Sequence, residues 1–322
     1  MKCLLMLCLM FGMAGIASAQ PGKRIVVAKD GSGDFTTVQA AFNAVPLHNH
    51  TPITIYVKDG VYKEKLHLDA TKDNVTLIGQ DRFNTILTYD DHTGKVVAPG
   101  DTINTRTSHS FLMAGNNFTA RNITFQNNAG FYAGQAVAVE VRGDKAAFID
   151  CRIIGNQDIL FTNNPDSREY YKNCYLSGTT DFIFGSATAF FDQCRIHSKK
   201  DSHVTAASTP KDHRYGYVFY DCELTGDPSV TNASLGRPWR PYASVTYLHC
   251  YIGSDIRPAG WSNWHHTDRY KTARYSEYND YGPGAKPAQR VKWSHQLTDQ
   301  QAKQYTIKNV LAGWVPPDSK WE

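Results

Sequence analysis

The chain has 322 residues, enough for one large domain or two ordinary ones, with a sizeable core in either case. Its hydrophobic and charged fractions, 41% and 20%, are those of a soluble globular protein. The formal charge of +4 is too small to point to nucleic acid, although it tolerates an acidic substrate.

The first residues, "MKCLLMLCLMFGMAGIASA" (1–19), read as a secretory signal. Lys2 supplies the positive region, Cys3 to Ile16 the apolar run, and "ASA" the small-residue cleavage site before Gln20. The run falls short of the roughly 20 residues a spanning helix needs, and no later run approaches that length. No Cys follows the small residues, which argues against a lipid anchor. The expected mature protein is therefore residues 20–322, exported, without a membrane span and monomeric. Next, "FTTVQAAFNAVP" (35–46) carries apolar residues at helical spacing and stops at Pro46.

Export makes the cysteines informative, because oxidising compartments favour disulfides. Without Cys3 and Cys8, the remaining cysteines are Cys151, Cys174, Cys194, Cys222 and Cys250, an odd number. Their contexts repeat: "DCRI" (150–153), "NCYL" (173–176), "QCRI" (193–196), "DCEL" (221–224) and "HCYI" (249–252). "NVTL" (74–77) and "NITF" (122–125) have the same shape with Val or Ile for Cys. The intervals of 23, 20, 28 and 28 residues leave no room for amphipathic helices, so the repeat is a solenoid of short strands. A parallel β-helix fits, with Cys and Ile or Leu facing inward and stacking coil on coil. The cysteines are then expected as a buried ladder of reduced thiols rather than disulfides.

Toward the other end, "LTDQQAKQYTIKNVLAG" (297–313) opens with a capping box, Thr298 to Gln301, and ends at Gly313. Short helices near both ends suit a solenoid, whose open coil ends are exposed sheet edges. No linker divides the chain, so one domain is expected.

The repeat also places two carboxylates. Asp158 lies seven residues after Cys151, and Asp181 seven residues after Cys174. They occupy equivalent places on successive coils, at the strand spacing of about 4.8 Å. Like charges that close raise one pKa, separating a proton donor from an ionised nucleophile. Gln135 lies 23 residues before Asp158, one coil earlier, and Gln157 adjoins it, so two amides share the surface. Nucleophile, proton donor and amide oxyanion hole suit acyl transfer. Stacked Asn, Gln and Asp also stabilise β-helix turns, and carboxylates about 5 Å apart also serve retaining glycosidases. Spacing alone does not separate sugar cleavage from ester cleavage.

The segments "GVYKEKL" (60–66), "GQAVAV" (134–139), "GNQDIL" (155–160), "DFIFG" (181–185) and "LGRPW" (235–239), in this order, resemble the signature segments of the pectin methylesterases. "PAGWSNW" (258–264) and "EYNDYGPG" (277–284) are similar to that family's C-terminal segments. The resemblance runs from about Val26 to Ala312 and implies a right-handed parallel β-helix that hydrolyses the methyl esters of galacturonate units in pectin. It implies Asp181 as nucleophile, Asp158 as general acid, Gln135 and Gln157 as oxyanion donors, and Arg237 as partner of Asp181 and contact for substrate. Phe161, Phe182, Trp239 and Trp261, in or near the motifs, are expected to line a sugar-binding groove, with Phe184 and Phe190 in the core. No cofactor or metal is implied, and His48, His50, His265 and His266 lack ligand spacing. The alternatives are a β-helical pectin lyase or polygalacturonase, whose calcium-ligand cluster or extra His and Arg-Lys pair the motifs lack. A non-catalytic glycan-binding solenoid would need neither Asp158 nor Arg237.

Overall fold

The structure, a computed structural model, describes residues 23–319, so the expected secretory signal lies outside the described residues. Three parallel sheets of eleven, eight and seven strands run along the molecule. A complete coil gives one strand to each sheet. Ala146–Ile149, Arg152–Ile154 and Leu160–Thr162 form one turn, and Arg168–Lys172, Tyr175–Gly178 and Ile183–Gly185 form the next. Corresponding strands pair in parallel, as in Phe148↔Tyr171, Ile153↔Leu176 and Leu160↔Ile183. The architecture is the parallel β-helix that the cysteine intervals predict. Strand Val96–Ala98 forms an antiparallel hairpin with Asp101–Thr102 outside the coils.

The repeat has a backbone cause. Asn74 leads into the first-sheet strand Val75–Gly79, so "NVTL" lies at a different corner from the rest. The polar residue before Ile123 and before each Cys has a left-handed backbone: Asn122, Asp150, Asn173, Gln193, Asp221 and His249, with φ between 50° and 58°. One such residue turns the chain sharply from the first sheet into the second, and Asn and Asp tolerate that conformation best. The next residue then points into the lumen. All five cysteines are buried and unbridged. Each of four thiols donates to the carbonyl of an aromatic residue one coil back: Cys174 to Phe148 (3.2 Å), Cys194 to Tyr171 (3.3 Å), Cys222 to Phe191 (3.3 Å) and Cys250 to Phe219 (3.5 Å). Those aromatics form a second ladder. Phe148, Tyr171, Phe191, Phe219 and Tyr247 stack face to face with centroids 4.4–5.1 Å apart.

The ends are closed differently from each other. Helix α1, Val38–Asn43, plugs the first coil: Phe42 is fully buried and stacks on Phe111 at 5.5 Å. The expected C-terminal helix is instead two single turns, α2 (Asp299–Ala302) and α3 (Ile307–Val310). Thr306 interrupts it because its hydroxyl accepts from the Asn309 amide as a fresh N-cap. The capping box at Thr298 and Gln301 is present. These turns do not cover the open coil. Val310 and Leu311 bury against Tyr170, Phe190, Val218 and Leu248 on the outer face of the first sheet. The last coil is closed by Val291 and Trp293, packed on the core beside Tyr275.

Glu169 places a carboxyl inside the lumen with no cation among the described residues beside it. Glu169 is fully buried, and its partners are the hydroxyls of Tyr171 (2.5 Å) and Ser167 (3.3 Å). Burial pushes its pKa up to about 8, against the pull of those hydroxyls.

Two measurements follow from this interior. Thiol titration of the folded protein without residues 1–19 should find no fast-reacting cysteine, and five after denaturation; two disulfides would refute the ladder. The folded pKa of Glu169 exceeds its unfolded value, so its stabilisation is complete at acid pH and is lost as pH rises through about 8. Glu169→Gln should therefore reduce the drop in melting temperature between pH 5 and pH 9 by roughly 5 °C. An identical pH profile in the variant would show that Glu169 does not titrate there.

Candidate active site

Asp158 and Asp181 occupy the other sharp corner, where the chain passes from the second sheet to the third, with φ of 62° and 49°. Asp158 N donates to Thr180 O at 3.1 Å, and Leu160 N to Phe182 O at 2.9 Å, so the two aspartates stack one coil apart. Ile159 and Phe182, the residues that follow them, are fully buried and anchor the corner in the core. The carboxyls face outward yet are only 8% and 5% exposed, so their charges are poorly solvated.

Arg237 compensates one of them. Its Nε donates to Asp181 Oδ1 at 2.9 Å and its Nη2 to Oδ2 at 2.6 Å, a bidentate fork. Arg237 comes from strand Ser234–Pro238, two coils beyond Asp181, in the outward row Phe161, Phe184, Ala206, Arg237. The small Ala206 lets the guanidinium reach back. The Arg237 guanidinium carbon also lies over the Trp264 ring, 4.1 Å from its centroid.

Burial raises the pKa of both aspartates. For Asp158 the rise is large, with the Asp181 charge adding to it and a hydrogen bond from Gln157 and the Arg237 charge opposing it. For Asp181 the fork from Arg237, then the charge of His265, oppose burial, and a smaller rise is left. The family resemblance implies an Arg237 that keeps Asp181 ionised; here the guanidinium offsets burial without cancelling it. The order survives, so Asp158 keeps its proton longer than Asp181.

Gln135 pairs in a parallel bridge with Gln157, and Ala136 N donates to Gln157 O at 3.1 Å. The 23-residue count that aligned Gln135 with Asp158 is thus one residue out, because the turn leading into strand Val139–Val141 is built differently. Both glutamines are half-buried, and the Gln157 side chain hydrogen-bonds Asp158. Thr93 N donates to Gln135 O at 2.9 Å and ties the segment before the 96–102 hairpin to the site. Among the described residues, no group of three or more His, Cys, Asp or Glu side chains is arranged to hold a metal.

The aromatic assignments need correction. Phe182 is fully buried in the lumen, because the left-handed Asp181 resets the alternation of side chains. Trp261 is 1% exposed, and its Nε1 donates to Glu277 Oε1 at 3.0 Å inside the core. Neither can line a groove. Phe184 points outward instead of into the lumen, and stacks on Phe161 at 4.3 Å with Trp239 edge-on to both. Phe161 and Phe184 are nearly covered, at 2% and 4% exposed, and form the floor; Trp239 and Trp264 are half-buried and form the wall. Phe190 is buried, but in the outer cluster beneath α3. Trp264 escapes sequence reasoning although it lies in "PAGWSNW"; two tryptophans three residues apart carry no label for inward and outward. Arg106, also unforeseen, sits 5.8 Å over the Phe161 ring.

This arrangement has known counterparts. The pectinesterase family profile matches residues 24–314. Pectinesterase 31 of Arabidopsis thaliana is 36% identical over 285 residues, covering 87% of this chain and 89% of its own. The structure of pectin methylesterase from carrot superposes with a TM-score of 0.85 at 34% identity, covering 92% of this chain and 95% of its own. A pectin methylesterase in complex with a hexasaccharide superposes with a TM-score of 0.81 at 27% identity, covering 92% and 99%. With a profile matched over nearly the whole described chain and a coil-by-coil likeness to solved members, this protein belongs to the pectinesterase family.

Proposed function

We propose that the protein hydrolyses methyl esters of galacturonate units in pectin with Asp181 as nucleophile and Asp158 as general acid and base. The observation that carries this reading is the asymmetry of the stacked pair. One carboxylate is held by a bidentate guanidinium, while its buried neighbour is driven toward its protonated form. A carboxylate oxygen of Asp181 attacks the ester carbonyl, and the side-chain amides of Gln135 and Gln157 stabilise the oxyanion. Collapse expels methoxide, which takes the proton of Asp158 and leaves as methanol. Asp158, now ionised, takes a proton from water as that water attacks the acyl-enzyme anhydride. The Asp181 carboxylate is expelled, and a free galacturonate acid remains.

The hexasaccharide complex of a related pectin methylesterase accords with a polymeric substrate lying along the coils over the Phe161–Phe184 floor, against Trp239 and Trp264. Export through residues 1–19 would deliver the protein to that substrate.

Methanol release from methyl-esterified pectin tests the assignment. Asp181→Ala should abolish turnover and Asp158→Ala should nearly do so, with melting temperatures showing that both remain folded. Gln157→Ala should retain a rate lowered by about 10²–10³. Wild-type methanol release from a folded Asp181→Ala protein would end the mechanism. The pH profile should be a bell. On its acid limb Asp181 takes up a proton, above the usual aspartate range because burial raises its pKa; on its alkaline limb Asp158 loses the proton methanol needs. A rate independent of pH across both limbs would contradict these roles.

A further inference from the structure

Glu140 is a buried carboxyl beside the groove that the mechanism does not use. It stands between Leu112 and Phe161 in the outward row of the third sheet, one coil before Phe161, and is fully buried. Burial pushes its pKa up, but His109, Asn163 and Arg142 together pull it below the usual glutamate range, so it stays ionised. Its Oε1 accepts from Arg142 Nε at 2.6 Å and from Asn163 Nδ2 at 2.7 Å, and its Oε2 lies 3.3 Å from His109 Nδ1.

Two of those partners lead to Arg106. An ionised carboxylate only accepts, so it fixes the Asn163 amide with its N–H toward Glu140 and its oxygen toward Arg106, whose Nη1 donates to that oxygen at 3.4 Å. His109 Nδ1 faces two acceptors, Glu140 Oε2 and the Arg106 carbonyl at 3.0 Å, so it carries a hydrogen that both share. Arg106 belongs to the short 3-10 turn Thr105–Thr107, is exposed, and holds its guanidinium 5.8 Å over the Phe161 ring. The turn itself has other supports, since Asn104 closes it with a capping box and Lys65 Nζ donates to Thr107 O at 2.6 Å. What the turn does not fix is the direction of the arginine side chain, which would otherwise sample many rotamers in solvent.

We infer that Glu140 is a positioning residue: through Asn163 and His109 it sets the Arg106 side chain across the Phe161 end of the groove floor, where Arg106 meets the bound sugar chain. The inference rests on the proposed substrate and on the floor proposed for it. An arginine ordered before the substrate arrives spares binding the entropy of ordering it then. Loss of Glu140 therefore weakens binding and leaves the chemistry at Asp181 alone.

Steady-state kinetics of methanol release from methyl-esterified pectin read this. Glu140→Gln keeps the volume but can offer Asn163 a donor or an acceptor, so it should raise KM roughly fivefold with kcat unchanged. Arg106→Ala should raise KM at least as much, and adding Glu140→Gln to it should change KM no further. Asn163→Ala, at a half-buried position, should reproduce the Glu140→Gln effect and likewise lose it in the Arg106→Ala background, which keeps the test alive if Glu140→Gln does not fold. A merely structural Glu140 would lower the melting temperature and raise KM alike in both backgrounds. That additivity, or an unchanged KM in a folded Glu140→Gln protein, would overturn the inference. Were the wild type to release no methanol, the esterase reading would fail by itself. The same cycle, read as calorimetric affinity for hexagalacturonate, would then decide the relay: coupled losses keep it, and additive or absent losses end it.

Discussion

The middle of this molecule depends on one repeated conformational choice: a single residue in the left-handed region where each coil from Asn122 to His249 leaves the first sheet. It lets the chain turn within about one residue, where the earlier coil between Gly79 and Thr85 uses a longer connection, and so brings each next strand under that of the preceding coil. The polar side chains at these corners meet solvent, so the sequence supplies residues that tolerate positive φ. The inward position that follows is narrow. Cys suits it, because its thiol also satisfies a backbone carbonyl of the coil behind.

The same device at the second corner makes the site. A left-handed Asp, anchored by a buried Ile or Phe directly after it, projects its carboxyl outward while remaining mostly covered. Two such corners on adjacent coils put two acids in a poorly solvated place. Burial alone would protonate both. The Arg237 fork breaks the symmetry, and its reach depends on Ala206 being small, with the guanidinium carbon over the Trp264 ring. Asymmetry between two chemically identical groups therefore comes from a residue two coils away.

Much of this was legible in the sequence because solenoid register is written as spacing. The 23 residues from Cys151 to Cys174 equal those from Asp158 to Asp181, so the stacking of the acids could be counted. Counting failed where coils differ in construction. Gln135 bridges Gln157, 22 residues on, and the strand after it pairs Val139↔Leu160 at 21, so neither keeps the 23-residue interval. Period-two reasoning failed at the corner itself: Phe182 and Ile183 are both inward, and Phe184 is the residue turned outward. The pairing of Arg237 with Asp181 rested on family resemblance, since 56 residues of sequence separation contain no hint of contact. The C-terminal helical pattern is legible at its start, in the Thr298 capping box, but Thr306 can cap as well as continue a helix, and here it caps.

The C-terminal segment has a mechanical consequence. After α2 it runs back across the first sheet: the Tyr278 hydroxyl donates to Asp299, the Tyr215 hydroxyl to Gln304 O, α3 packs over Tyr170 and Phe190, and Asp318 meets Arg121 and Lys172. In a simple solenoid each coil touches only its neighbours, so the array can unzip from an end one repeat at a time. A strap fastened to coils near the end and near the middle removes that freedom. The terminal coil cannot peel away until contacts many repeats distant have let go, which turns a linear array into an object that opens all at once.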